Sequence, residues 1–488
     1  MPSIYRLNVQ PDADTNWSVS PGACESMKGF APLDNGNVAT VGETLQFSVT
    51  GDDALHAAIF PQTGGTKRFL VFRTANIDEY DSSAVRTNRG TGYTTASSWH
   101  AAAWGNQIIA VSKENATQSS TGAGFTALGG SSPKAKIVAA NVNFVMMADV
   151  DDGGSNVYTD MVWWCGIRNP ATWAPSQATQ AGRVRLLDVP GPITALVAYT
   201  GKFIAFKSNA MFVGEYIGPP YVFSWRMVSN SIGCGFKDLV TECDGKLFFG
   251  NSSGVYMFDG QQITNIGQGV FSVFSWFNHG NPTAVADELE GVVWFCHFRE
   301  FDAGGTRYEL NPYGYNARTG LWAGAGDIFA STSIAGQSHV LVKTTRADFA
   351  RFAVPGGALE PAAGFNYLGN GDSPGFYEVN YRDAIPTNNT AVITTGFSGW
   401  NDRSLSNLRA HLRIVDGVVP TISSAFFSAY GHELGSTGTT GTLTMNTELV
   451  TLDGIANGRF SRLTVTFDAG STFEMAGIGF EATADGRR

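Results

Sequence analysis

The sequence predicts an all-β protein, a six- or seven-bladed β-propeller with an additional C-terminal β module. Three observations carry this. A hairpin phrase, two β-forming runs joined by a turn, is written almost twice over from Gly201 to Gly218 and from Asp244 to Gln262. Both copies hold Gly-Lys, apolar residues in alternation (Phe203, Ala205; Leu247, Phe249), a turn of polar or small residues, and an apolar second run. Copies of the phrase then recur along the chain: from Phe69 to Ile108, Phe144, Phe203, Leu247, Val293 and Val340 the steps are 39, 36, 59, 44, 46 and 47 residues. Four-stranded propeller blades repeat at roughly 40–50 residues. Finally, the chain holds 58 Gly among 488 residues, 12% aromatics and only 15% charged residues, against about 25% charged in typical globular proteins. Such a chain has ample material for a core and buries surface against neighbours, which points toward a subunit. A large antiparallel sandwich is the competing arrangement, since hairpins are common to both.

The elements follow in order. Residues 1–50 are polar and rich in Asn, Asp and Gly, and read as an extended arm packed on the main body. Residues 51–356 hold the repeats. Lys67 to Phe72 turns at Arg73 to Asn76 and resumes through Ile77; Gln107 to Val111 follows the turn signal Trp104-Gly105-Asn106. Phe144 to Met147 is separated from Met161 to Trp164 by the loop Asp149 to Ser155, which reads as an insertion. The two clear copies come next, then Gly291 to Phe295 with Tyr308 to Leu310, and His339 to Val342 with Phe349 to Phe352. Of these seven copies, one is open to being an insertion or part of a blade shared between the chain ends.

After Gly267-Gln268-Gly269, Val270, Val273, Phe274 and Phe277 fall at i, i+3, i+4 and i+7. That spacing predicts a short amphipathic helix, with Phe274 and Phe277 as candidate subunit contacts. The apolar loop Gly218 to Trp225 carries two prolines; Pro219, Pro220 and Tyr221 are the other candidate contacts. Past Val354-Pro355-Gly356-Gly357 the pattern changes, and residues 357–488 form a second β module that either completes a blade or stands as a small sandwich. Leu408, Ala410, Leu412 and Ile414 alternate with Arg409, His411 and Arg413, the mark of a strand with one wet face.

Asp149, Asp151, Asp152, Asp287, Glu288 and Glu290 lie in loops beside Gly and Asn, where solvated turn residues are expected rather than the paired carboxylates of a glycosidase. Asp149 to Gly154 lacks the ligand spacing and closing Glu of a calcium loop. Seven scattered His accompany no G-x-S-x-G elbow, since Gly396-Phe397-Ser398-Gly399 is one residue short, and no phosphate loop is written. His297 and His339 lie in strand-like runs, as packed residues do. Five Cys without a CxxC pair give neither a disulfide framework nor a zinc ribbon. The strand-end tryptophans, Trp163, Trp164, Trp173, Trp225, Trp276, Trp294 and Trp322, are expected to fill the space between blades. No catalytic, cofactor-binding or metal-binding residue is assigned, and a non-enzymatic protein is expected. No window of about 18 apolar residues is present, so no membrane anchor is expected.

Val162 to Trp173, Ile193 to Phe206, Asn209 to Gly214 and Ser253 to Gly260 resemble β-propeller tail proteins of bacteriophages, the hub or nozzle (packaged-DNA stabilisation) proteins of short-tailed phages. The resemblance covers about residues 60 to 330, and the ending Asp485 to Arg488 belongs with it. It implies a structural virion protein, assembled in the host cytoplasm into a homohexameric ring. It also implies adaptor or connector proteins above, a spike, fibre or needle below, and transient contact with passing double-stranded DNA. The net charge of −10 suits a wall that lets DNA slide, because phosphate grips a protein through Lys and Arg. The alternative is a glycan- or receptor-binding, or glycan-cleaving, propeller at the tail tip. An intracellular scaffold of the WD40 kind is not expected, because its GH and WD pairs are missing from the repeats.

Overall fold

The computed structural model describes residues 6, 8–9, 23–48, 54–61, 67–81, 85–154, 156–268, 270, 282–300, 307–326, 333–334, 340–344, 364–369, 375–381, 385, 391–395, 398–399, 405–417, 422–430, 436–440, 442–446, 449–454 and 460–484. Their secondary structure is all β. Six consecutive antiparallel blades account for the repeats. Blade one is Ala54–Pro61, Lys67–Arg73, Ile77–Tyr80 and Arg86–Gly90. Blade two is His100–Trp104, Gln107–Val111, Gln118–Ser120 and Thr126–Ala127. Blade three is Lys134–Ala140, Val145–Asp151, Val157–Trp164 and Gly182–Arg185. Blade four is Ala195–Tyr199, Lys202–Lys207, Ala210–Gly218 and Val222–Ser229. Blade five is Val240–Cys243, Lys246–Asn251, Gly254–Phe258 and Ile263–Asn265. Blade six is Thr283–Asp287, Val292–Glu300, Arg307–Asn316 and Trp322–Gly324, with Ser333–Ile334 on its third strand.

The seventh blade is made from both ends of the chain. Val340–Thr344, Gly364–Gly369 and Gly375–Tyr381 supply three strands in order, and Val38–Ser48 adds the outer one through pairs such as Phe376↔Phe47 and Tyr381↔Val41. Its inner strand also pairs in parallel with that of blade one, Val342↔Ala57 to Thr344↔Ile59. The ring is thereby closed by hydrogen bonds, and no blade is left as an open end.

Three sequence expectations change here. Val38–Ser48, within the segment expected to be an extended arm, is a strand of the propeller; it joins Gly364–Gly369 and Gly375–Tyr381, which complete a blade as one of the two arrangements expected for the C-terminal segment. The polar appearance of the N-terminal lead hid the strand because three of its five apolar residues are Val or Ala, spaced among Gly, Glu and Thr. Val340–Thr344 pairs with Gly364–Gly369, whereas the expected partner Phe349 to Phe352 lies outside the described residues. The long step between blades three and four does not come from Asp149 to Ser155, which is only a hairpin turn. The extra residues lie between Trp164 and Gly182, held by Gly166 N–H on Thr172 O (2.7 Å) and Ile167 N–H on Thr179 O (3.0 Å).

The core sits between blades, because each sheet buries both faces against its neighbours. Phe72, Trp99, Ile108 and Phe125 fill the seam of blades one and two; Trp164, Phe203, Phe212 and Phe223 that of three and four. Strands buried on both faces lose strict alternation, which is why Phe248 and Phe249 stand side by side and are both fully buried. Trp294, Val379 and Tyr381 with Ala39 and Val41 make the seam of blades six and seven.

The C-terminal module is a two-sheet sandwich. One sheet joins Ala23–Lys28 from the N-terminus to Ala391–Thr395, Phe460–Phe467, Ile422–Tyr430 and Ser436–Thr440. The other runs Thr442–Asn446, Leu449–Gly454, Leu405–Gly417 and Phe473–Ala484, and reaches the N-terminal strand at Val38↔Met475. Between them lie Phe30, Leu412, Leu463, Val465, Phe467 and Ile478, with Phe30 edge-on to Phe467 at 5.8 Å.

Candidate functional site

Near the axis the blades converge, which favours small side chains there. The inner strands answer with Ala: Ala101, Ala102 and Ala103 in blade two, Ala139 and Ala140 in blade three, Ala198 in blade four, Ala284 and Ala286 in blade six. The result is an axial cavity of about 430 Å³, whose polar lining comes from His56, His100, Lys237, Thr241, Glu242 and Glu288.

A polar knot crosses the axis. Lys237, on the loop that leads into blade five, donates from Nζ to the Trp99 carbonyl of blade two at 2.7 Å and to Asp238 Oδ2 at 2.8 Å. Asp238 Oδ1 stands 3.7 Å from His100 Nε2, and its backbone carbonyl accepts from Ala284 N–H of blade six at 2.8 Å. His100 Nδ1 accepts from Val138 N–H of blade three at 3.2 Å, so its proton sits on Nε2, toward Asp238. The His56 ring lies 5.5 Å from that of His100. This knot ties blades two, three, five and six together beside the cavity.

A second polar group is buried where blades six and seven meet. Asp287 is fully buried; Leu289 N–H donates to its Oδ1 at 2.9 Å, and the Tyr381 hydroxyl faces it while accepting from Trp294 Nε1 at 2.8 Å. Burial pushes the carboxyl up to about 7, against the opposing pull of those donors. Burial also drives Tyr381 well above the usual tyrosine range.

No protein-family model matches the chain, and no curated protein matches it. Solved structures similar to it include selenomethionine-substituted virginiamycin B lyase from Staphylococcus aureus, at 8% identity and TM-score 0.42, over 70% of this chain and 99% of that one. A catalytically inactive virginiamycin B lyase from the same organism, with quinupristin, gives 10% identity and TM-score 0.41 over 70% and 99%. YCF48 bound to D1 peptide gives 11% identity and TM-score 0.37 over 70% and 94%. None of these carries an argument about activity.

The sequence-predicted residues fall in several places. Asp149, at φ 53°, pairs with Lys113 Nζ at 2.5 Å. Asp151 and Asp152 accept from Gly153 and Gly154 N–H at 2.9 Å, as turn residues do. Among the described residues no group of three His, Cys, Asp or Glu could hold a metal ion. His297 is buried and stacked on Tyr313 at 6.0 Å; His339 lies outside the described residues. Trp163, Trp164, Trp173, Trp294 and Trp322 are buried, each donating its indole N–H within the chain; Trp225 is half-buried, and Trp276 lies outside the described residues.

Of the candidate contacts, Phe274 and Phe277 and the expected helix lie outside the described residues. Pro219, Pro220 and Tyr221 form the tip of the outer hairpin of blade four, joined by a cis Pro219-Pro220 bond, and all three are exposed. The strands of this hairpin run nine and eight residues, against five and three in blade five; the Trp225 ring covers Gly214, and near the tip Val222 and Phe223 are buried, with Phe223 against Phe144 and Trp164 of blade three. In the same hairpin Tyr216, Ile217, Tyr221 and Met227 are 43%, 55%, 76% and 39% exposed. The axial knot and the Asp287 seam escaped the sequence reading. The one signal for the first was the run of Ala in strand-like stretches.

Proposed function

We propose that this chain is a structural subunit of a bacteriophage tail, of the nozzle or hub kind, which forms a ring around the passing genome and helps to retain packaged DNA. The strand Val38–Ser48 carries the reading. It pairs with the sandwich at Val38↔Met475 and Ala39↔Glu474 and then, without interruption, with blade seven from Val41 to Ser48. A single continuous strand shared by both modules makes the subunit one stiff piece, and separating the modules requires breaking sheet hydrogen bonds. Stiffness of that kind suits a wall segment under pressure.

The size of the axial cavity bears on where DNA would travel. A B-form duplex needs a bore wider than 12 Å, the width of its major groove alone, and a recess of about 430 Å³ cannot hold one. The passage would therefore be the centre of a ring of copies, with the acidic balance of −10 limiting adhesion to phosphate. The virion location, the six copies, and the connector above and spike, fibre or needle below follow from the resemblance. No chemistry is assigned to the chain.

The axial recess favours a second reading, a propeller that binds a small glycan or receptor group at the tail tip. Electron microscopy of the purified full-length chain separates the two: ring-shaped particles with sixfold averages support the tail ring. A compact monomer that binds or cleaves glycans on an array would sink it.

A further inference from the structure

We propose that the outer edge of blade one holds the phosphodiester backbone of double-stranded DNA, weakly and without regard to sequence, and is the part of the subunit turned toward the passage. Its place in the passage rests on the ring proposed above. The charge of the chain is unevenly spread. Residues 54–90 carry five Lys and Arg against three Asp and Glu, a surplus of two, so the rest of a chain totalling −10 carries −12. Between Asp81 and Glu114 there is no carboxylate at all.

The surplus is held in a fixed place. Arg86–Gly90 ends its sheet and has a neighbouring strand on one side only. Behind it Asp78, fully buried, accepts from Arg73 Nε at 2.7 Å, Arg86 Nη2 at 2.9 Å and Asn88 Nδ2 at 3.3 Å. Glu79 accepts from Arg68 Nη2 at 2.8 Å and Arg89 Nε at 2.7 Å. All four guanidiniums are paired, yet two carboxylates cannot neutralise four of them. Asp81, which accepts from Val85 N–H at 2.9 Å, is matched in number by Lys67. Arg68 and Arg73 are buried, whereas the Arg86 and Arg89 side chains are 37% and 29% exposed, so the unbalanced charge is the one that meets solvent. The shared carboxylates brace these two forks from behind, one on each face of the edge strand. Around them Thr87, Asn88, Thr91 and Thr94 are exposed. Arginine forks with Thr and Asn donors are the groups that contact phosphate oxygens in DNA. Two exposed guanidiniums per copy give a hold that does not stop a sliding duplex, and the negative remainder of the chain limits further adhesion.

The test is fluorescence anisotropy of a short labelled duplex of random sequence, titrated with the full-length protein at low and rising salt. Saturable binding is expected, with log affinity falling against log salt at a slope of about −2, for two phosphates engaged. Arg86→Gln with Arg89→Gln should abolish that slope. Because those changes also strip partners from Asp78 and Glu79, Thr91→Glu adds a carboxylate to the surface without touching the pairs, and should weaken binding about tenfold. Val157→Glu, the same charge change at an exposed position of blade three, should leave binding unchanged. Equal loss in the Thr91→Glu and Val157→Glu proteins, or no saturable binding, overturns this surface even where microscopy shows rings. Polyglutamate displacing the duplex at equal charge concentration overturns the assignment to phosphate in favour of an acidic protein surface. A monomer that binds duplex and loses it on Thr91→Glu overturns the ring and leaves the surface standing.

Discussion

Replacing Asp287 with Asn should make the protein more stable above neutral pH. An acid held at about 7 in the fold, against 3.8 ordinarily, keeps its proton where the unfolded chain has lost it. Stability from this group is therefore complete below pH 4, declines as pH rises from about 4 to about 7, and is flat beyond. At about 1.4 kcal/mol per pH unit, the ionised carboxyl costs the fold about 4 kcal/mol at pH 8. Asn has the same shape and no charge. Its oxygen can accept from Leu289 N–H, and its amide can face the Tyr381 oxygen. Urea unfolding, followed by the fluorescence of Trp294 and its fellow indoles at pH 5, 6, 7 and 8, should show the wild type losing stability across that window. Asp287→Asn should stay level and stand up to about 4 kcal/mol above wild type at pH 8. A variant less stable than wild type at pH 8, or a wild type with no decline between pH 5 and 7, refutes the account of the seam.

Other perturbations probe how the ring is held. Lys207 is buried, with Nζ donating to the carbonyls of Leu186 and Val189 at 2.6 and 2.5 Å, and burial lowers its affinity for a proton. Lys207→Met strands both carbonyls and should lower stability by about 2–5 kcal/mol in the same urea assay. Removing residues 1–48 takes away the outer strand of blade seven and one sandwich strand together. Limited proteolysis should then cut first within residues 340–381; a truncated chain as resistant as the full one would contradict the closure described here.

How much of this was written in the sequence can be judged from particular residues. The hairpins at Phe203 and Leu247 were legible because their turns and apolar runs are local, and local geometry is what turn chemistry and strand period encode. The count of blades was bracketed for the same reason. Lys237, by contrast, lies 138 residues from the Trp99 carbonyl that it reaches across the axis. Asp287 had every mark of a solvated turn carboxylate, beside Glu288 and Glu290, until Tyr381 closed over it from blade seven.

The sequence by itself determined an all-β repeat of small, apolar strands with few charges, since those properties belong to neighbouring residues. Only the tertiary structure decided that the two chain ends share blade seven, that Lys237 meets the Trp99 carbonyl, and that a turn acid becomes a buried one. Each of these depends on which distant strands become neighbours. Burial and hydrogen-bond partners, unlike strand period, are properties of that arrangement and not of any one stretch of chain.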